Sequence, residues 1–434
     1  MFYFALFSIF FIGDIEASEQ IIRAKVIHHN TIRFHLSQEF AKQYTRHCLT
    51  LTYPQDIDLQ QLPPSIVDIP LITQVIPVIW LSGKAYEIEE MDEDLYYSLI
   101  KIKEFFKRFF YNTSWNGALK PQRLIKNSIP AIANTSAALW TGGVDSTATV
   151  LSHLDEHPTL ISFNDPHQHA VAFAHTYHLN ISTIYMNHHD FLKLTKLDKA
   201  TIDISKWFWD TTMGLAWIGA AAPFLYAKGI PILYIPSGFT WDSFIFPHGQ
   251  TLEQPACPLI DENVNPAGLC VHHDGFTLTR TEKIKFISTF CAKKNITKPQ
   301  LVVCNYHTVC DTSYTHCNRC FKCYITMLDI LAIGQDIQEY GFTMDQEEFI
   351  AHFKKYLTKL TMRPGGTYVA LRDTQRYLQQ HKEQLPEKYR SFYDWFLSVD
   401  LWAKVTVTSK RPFRPQPFSW DDYQDLYNKQ TYPT

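Results

Sequence analysis

Short alternating and apolar runs make residues 1–90 read as β-rich, and the period then changes twice along the chain. Ile21–Ile27 and Thr31–Leu36 alternate as half-buried strands, with His29-Asn30 as the turn between them. Cys48–Tyr53 and Val75–Trp80 are apolar runs of strand length, and strands are expected there too. From Asp92 to Tyr111 the period lengthens. Leu95, Leu99, Ile102, Phe106 and Phe109 fall on one helical face, and Lys101, Glu104, Lys107 and Arg108 lie mostly off it. Asn112–Asn134 carries Asn, Ser, Gly and Pro breakers and reads as a linker.

Beyond the linker, short apolar runs alternate with helical stretches. Ser136–Trp140, Thr159–Phe163, Ile181–Met186 and Ile230–Pro236 read as strands. Ser146–Leu154, Ala170–Tyr177 and Thr211–Lys228 read as helices. This alternation predicts an α/β fold, a doubly wound parallel sheet with helices on both faces. Ligands of such sheets bind outside the carboxyl ends of the strands. That rule gathers the 141–147 loop, Ser162–Asp165 and Ser237-Gly238 around one crevice. Residues 324–434 read mainly as helices, with Asp345–Leu360 amphipathic, ahead of a Pro/aromatic tail at Arg411–Pro415. The tail places Arg beside aromatics, a nucleic-acid pattern, but a solvated extension packed on the body is the expected role. The expected division is 1–115, β-rich and ending in a helix; 116–134, linker; 135–335, the α/β core with a metal-binding insertion; and 336–434, helical.

Met1–Gly13 is almost wholly apolar. No Lys or Arg precedes it and its cleavage pattern is poor, so a buried strand or an over-long start is preferred to a signal segment. It is too short to span a membrane. A cytoplasmic chain without a membrane partner is expected. The 434 residues carry a net charge of −3, with 46% hydrophobic and 19% charged residues. The balance suits a globular protein with a large core and gives no basic field to recruit nucleic acid, which is not an expected partner.

Nine cysteines do not suggest a disulfide scaffold in a chain of this length. Cys310, Cys317, Cys320 and Cys323 form C-x6-C-x2-C-x2-C, and four thiolates suit tetrahedral zinc. An iron–sulfur cluster is the alternative, without the Cys-Pro ending of bacterial ferredoxins. Cys304 and His307 are rival fourth ligands. A closed four-thiolate site serves folding, not catalysis.

The densest chemistry lies between the first strand and helix of the core, at Thr141-Gly142-Gly143-Val144-Asp145-Ser146-Thr147. Gly142 and Gly143 permit positive φ and let backbone N–H groups converge at a helix N-terminus, which favours an anion. Ser146 and Thr147 add hydroxyls. Asp145 needs a cation to offset it beside an anion, and Mg2+ is the obvious one. No Gly-Lys-Ser/Thr follows, so this is not a Walker A loop. A plain strand–turn–helix with a Gly-Gly-x-Asp turn is the alternative.

The stretch resembles the Ser-Gly-Gly-x-Asp-Ser loop of the PP-loop ATP pyrophosphatases, with Thr141 in place of Ser. The resemblance implies ATP as cofactor, cleaved between its α and β phosphates. AMP would pass to a carboxylate or carbonyl oxygen and be displaced by nitrogen or sulfur. It further implies that residues 141–147 hold the phosphates with Mg2+ on Asp145, that Phe163 neighbours adenine, and that Ser237 and Gly238 border the crevice. Together with the cysteines, the loop is most similar to the 7-cyano-7-deazaguanine synthase family, which converts a 7-carboxy-7-deazaguanine carboxylate to an amide and then a nitrile with ammonia. Leu278–Ile284 resembles that family's Lys-x-Glu-Ile segment, with Arg280 for the lysine; Arg280 would then neutralise the departing pyrophosphate. The same residues also read as a helix start, with Thr279 as N-cap and Glu282 at N3. Where the family carries Tyr-Pro-Asp-Cys-Arg, this chain has Phe246-Pro247-His248-Gly249-Gln250.

The resemblance spans about residues 135–330 and carries the ATP chemistry further than the substrate. The expected function is an AMP-forming carbon–nitrogen ligase, with Asp145, Ser146 and Arg280 as catalytic residues. Its partners would be a small heterocyclic carboxylate and ammonia; a peptide or protein terminus is the alternative acceptor, and a homodimer one compatible assembly. A sulfur-transfer enzyme using Cys257 or Cys270 is the runner-up. A non-catalytic nucleotide-binding component of a modification or defence system is the third reading, since deazaguanine-synthase-like proteins also occur in antiphage defence.

Overall fold

The computed structural model describes residues 19–110, 113–132, 135–194, 207, 211–240, 243, 256–304, 316–362 and 365–406. Met1–Gly13, Phe246–Gln250, Cys310, His307 and the Arg411–Pro415 tail lie outside them.

The described strands are β1 (Glu19–Gln20), β2 (Ile22–His28), β3 (Thr31–Leu36), β4 (Leu49–Thr52), β5 (Ala85–Asp92), β6 (Ala118–Ile125), β7 (Ser136–Leu139), β8 (Thr159–Phe163), β9 (Ile181–Met186), β10 (Ile232–Pro236) and β11 (Cys270–Asp274). Two sheets result. One is β1-β5-β6 and the other runs β11-β10-β7-β8-β9-β4-β3-β2. Within the larger sheet, β11, β10, β7, β8 and β9 pair in parallel. Numbered from β7, their spatial order is 3-2-1-4-5, an α/β sheet that reverses direction between β7 and β10.

Alternate residues of these strands face opposite layers, as the pleat requires. Ala137, Leu139, Leu233 and Ile235 join one core, which includes the helix Met213–Lys228 and the N-terminal elements. Ala138, Trp140, Leu160 and Tyr234 join a second core with the helices Val144–Ser152, Arg280–Lys294, Phe321–Ala332 and Gln346–Lys359. Helices therefore cover both faces, as the alternating sequence predicted.

The N-terminal strands continue the larger sheet. β2, β3 and β4 are antiparallel, and β4 joins β9 through Leu51–Met186 and Thr52–Tyr185. Residues 116–134, expected as linker, contain β6, which pairs with β5 in parallel. Its largely exposed Lys-Pro-Gln-Arg centre hides the strand signal, and an edge strand tolerates that proline.

Val75–Trp80, expected as a strand, lies inside the helix Ile69–Ser82. Ile69–Trp80 is buried at every position, so no polar face marks a helical period. Pro70 near the start and Gly83 in the left-handed C-cap are the helix signals. The helix predicted from Asp92 forms as Glu93–Phe109, and the Asp92 carboxylate accepts from the Leu95 N–H at 2.9 Å. Among the described residues, no helix is long and apolar enough to cross a membrane.

Candidate functional site

The carboxyl ends of β7 and β10 meet at the reversal point, and the glycine loop leaves β7 there. Gly142 has φ +75° and Gly143 starts the Val144–Ser152 helix without a side-chain cap. Val302 N–H donates to the Gly142 carbonyl at 2.7 Å, pinning the loop from outside. A Cβ on Gly142 would stand 3.0 Å from Ala170 Cβ and 3.1 Å from Val302 Cγ2. Gly142→Ala combines that crowding with a left-handed backbone and is expected to destabilise by about 1–3 kcal/mol. Chemical denaturation checks this; an unchanged midpoint would contradict it.

The loop's polar groups close partly on one another. Thr141 Oγ1 lies 3.2 Å from Ser146 Oγ and accepts from Gly143 N–H at 3.3 Å. Ser146 also donates to the Gly143 carbonyl at 3.3 Å. Val144, Ser146 and Thr147 are buried. Thr147 is 1% exposed, so its hydroxyl sits beneath the loop and not at its mouth.

Asp145 is the hub. Its Oδ2 lies 3.2 Å from Arg280 Nη1, and its Oδ1 lies 3.1 Å from Lys283 Nζ. Burial alone would raise its carboxyl; Lys283 first, then Arg280, with Lys322 adding to them, outweigh that and hold it below the usual carboxylate range. Asp145 is therefore ionised at neutral pH. Arg280 also donates to Thr326 Oγ1 at 3.0 Å, and its Nε lies 3.8 Å from Asp329 Oδ2. Burial pushes the Asp329 carboxyl up to about 6, against hydrogen bonds from Thr374 and Thr281 and the charge of Arg280. At neutral pH the hub therefore sets two carboxylates, Asp145 and Asp329, against Arg280 and Lys283, and the exposed Lys322 ammonium in electrostatic reach supplies the excess positive charge. Such a surplus of positive charge at an uncapped helix start suits a phosphate group. A magnesium ion on Asp145 would compete there with Arg280 and Lys283.

The helix-start reading of Leu278–Ile284 holds. Thr279 and Glu282 form a reciprocal capping box, and Arg280 reaches Asp145. Lys283 was missed. It lies three residues after Arg280, hence on a neighbouring part of the same helical face, and it is 1% exposed. A lysine buried that deeply requires a partner, but burial is invisible in the sequence.

Phe163 ends β8, half-buried, with its ring stacked 6.1 Å from Trp217. Ser237 follows β10, and its side chain faces inward; its carbonyl, not its hydroxyl, meets Lys283 Nζ. Gly238 is exposed, with nothing within 4 Å of where a Cβ would stand. The thiols proposed for sulfur transfer fit poorly. Cys257 is fully buried, and burial and then Asp261 push its thiol far up. Cys270 pairs with Ile232 at the amino end of β10, opposite the crevice.

A second constellation adjoins the first. The sulfur atoms of Cys304, Cys317, Cys320 and Cys323 all lie within 4.8 Å of one another. Two pairs are 3.9 Å and 3.4 Å apart, near the roughly 3.8 Å edge of a zinc–thiolate tetrahedron with Zn–S of about 2.3 Å. These four can bind a metal ion such as zinc. Cys310, the fourth ligand expected from spacing, lies outside the described residues, and Cys304 stands in the fourth place. The hydrogen bond with Cys320, then burial, push the Cys323 thiol up, so a bound cation is what would make four adjacent thiolates favourable. Cys304 is two residues from Val302, which pins the glycine loop, and Cys320 caps the helix that carries Lys322, Thr326 and Asp329.

Comparison of the chain with protein-family models, curated proteins and solved structures finds no match in any of the three. The geometry of these two centres therefore carries the functional argument.

Proposed function

We propose that the crevice between β7 and β10 binds ATP and that the protein is an AMP-forming ligase of the PP-loop ATP pyrophosphatase type. The observation that carries this reading is the convergence of Lys283 and Arg280 on Asp145 at the mouth of the glycine loop. Residues 141–146 would receive the phosphates, and Lys283 and Arg280 would stabilise charge developing on pyrophosphate. Asp145 would hold a magnesium ion, which would supply neutralisation of the phosphate charge. Phe163 and Trp217 offer an aromatic edge to the adenine. The Cys304, Cys317, Cys320 and Cys323 set would hold zinc for structure.

The chemistry is adenylation of a carboxylate followed by attack of a nitrogen nucleophile, ammonia in the simplest case. A carboxylate oxygen attacks the α-phosphorus and pyrophosphate leaves; the nitrogen then attacks the acyl carbon and AMP leaves. A 7-carboxy-7-deazaguanine-like acid is the first acceptor to try, and a peptide or protein carboxylate the second. Nitrogen is favoured over sulfur because neither Cys257 nor Cys270 offers an available thiol at the crevice. With the acid labelled by oxygen-18 in its carboxylate and ammonium supplied, one label is expected in the AMP phosphate and the amide is expected as product. AMP formed without the label would rule out carboxylate adenylation.

A further inference from the structure

Ser237, His273 and Asp261 form an unbroken chain beside the anion site. Ser237 Oγ lies 2.9 Å from His273 Nε2, and His273 Nδ1 lies 2.8 Å from Asp261 Oδ2. All three are buried, none more than 3% exposed. The distances, and the chain order Ser, Asp, His, match those of a hydrolase triad.

The direction of the serine hydroxyl argues otherwise. Ser237 Oγ lies 2.6 Å from the Phe239 carbonyl oxygen, which only accepts. The hydroxyl hydrogen is therefore committed to Phe239, and His273 Nε2 must supply the hydrogen shared with Ser237. A nucleophilic serine needs the reverse, a bare Nε2 to receive its proton. His273 Nδ1 and Asp261 Oδ2 then share one proton, as imidazolium on carboxylate or as neutral imidazole accepting from carboxylic acid. Either way the pair carries no net charge, which lets two titratable groups stay buried. Burial pushes the Asp261 carboxyl up, against the hydrogen bond to His273. Gly214 makes room for it: a Cβ there would stand 2.1 Å from Asp261 Oδ1.

The other end of the chain touches the anion site. The Ser237 N–H donates to the Asp274 carbonyl at 2.7 Å, and the Ser237 carbonyl accepts from Lys283 Nζ. The next contact of that ammonium is Asp145. We propose that Asp261 and His273 are positioning residues of the nucleotide site. By clamping Ser237 they hold its carbonyl against Lys283, and so fix the ammonium that meets the phosphates. This rests on the nucleotide reading above.

Calorimetric titration with magnesium and α,β-methylene-ATP, which is not cleaved between α and β, tests the proposal. His273→Phe and Asp261→Leu are each expected to weaken binding at least about fivefold, by loosening a charge-assisted hydrogen bond. Asp261→Asn is expected to restore the affinity lost in Asp261→Leu, because its amide N–H donates to Nδ1 while Nε2 keeps its hydrogen. In a hydrolase triad the same Asn is the damaging substitution. If His273→Phe does not fold, Ser237→Ala removes the clamped hydroxyl alone, and the same loss is expected. Binding within about twofold of wild type in His273→Phe or Ser237→Ala, with Lys283→Met impaired, would overturn the positioning role and leave the phosphate site standing. Binding unaffected by Lys283→Met as well would sink the phosphate reading, and the proposal with it. Covalent labelling of Ser237 by a fluorophosphonate would overturn the proton assignment.

Discussion

Lys283→Met is expected to weaken ATP binding by about ten- to a hundredfold while the chain stays folded. The ammonium is buried and bonds to Asp145 and to the Ser237 carbonyl. A hydrogen bond involving a charged group contributes about 1.5–3 kcal/mol, which is that range of affinity. The methionine fills similar volume with apolar atoms, so the buried site does not gain an unpaired charge. Asp145 keeps Arg280, and its carboxyl shifts upward because its larger cationic neighbour is gone. Stability that depends on the ionised carboxylate is present above the ordinary carboxylate pKa and is lost as pH falls through the folded value. The acid limb of the stability curve is therefore expected at higher pH in the variant than in wild type. Calorimetric titration and pH-dependent denaturation read the two effects separately. A large loss of stability with no change in ATP affinity would make Lys283 a structural ion-pair member only.

The second large effect concerns the thiolate centre. Cys304→Ser is expected to reduce bound zinc from about one per chain to a small residue, and to destabilise by about 3 kcal/mol or more. It is also expected to weaken ATP binding, although none of the four sulfur atoms touches the anion site. The route is physical. Cys320 starts the Phe321–Ala332 helix, and that helix presents Thr326 and Asp329 to Arg280. Cys304 stands two residues from the Val302 N–H that fixes Gly142. Elemental analysis, thermal denaturation and nucleotide titration on the same preparation check the three effects. Cys310→Ser is the control for ligand choice: retention of zinc in Cys304→Ser and its loss in Cys310→Ser would reverse the assignment.

Much of this architecture was legible because local signals agreed with tertiary placement. Strand, Gly-Gly turn and helix follow one another at 136–152, and the alternating strands and helices after it form the parallel sheet. The capping box at Thr279 and Glu282 is a local pattern and forms as such. Signals failed where the determining contact is distant. The Ile69–Ser82 helix is buried all round, so its β-branched residues read as strand. Nothing local to β4 announces that it will continue the sheet beyond β9. Cys304 lies far from Cys317 along the chain, and spacing alone favoured Cys310. Lys283 and the Asp261–His273–Ser237 chain consist of single residues brought together by folding, with no spacing to mark them.

The most direct test of the central claim is where ATP is cut. Wild-type protein with magnesium, α-labelled ATP, 7-carboxy-7-deazaguanine or a panel of other carboxylates, and ammonium would be assayed beside Asp145→Ala and Lys283→Met. Labelled AMP is expected from the wild type with at least one acid, and neither variant is expected to sustain it. Labelled ADP as the product, or AMP formed equally well by both variants, would contradict an AMP-forming site built on Asp145, Arg280 and Lys283.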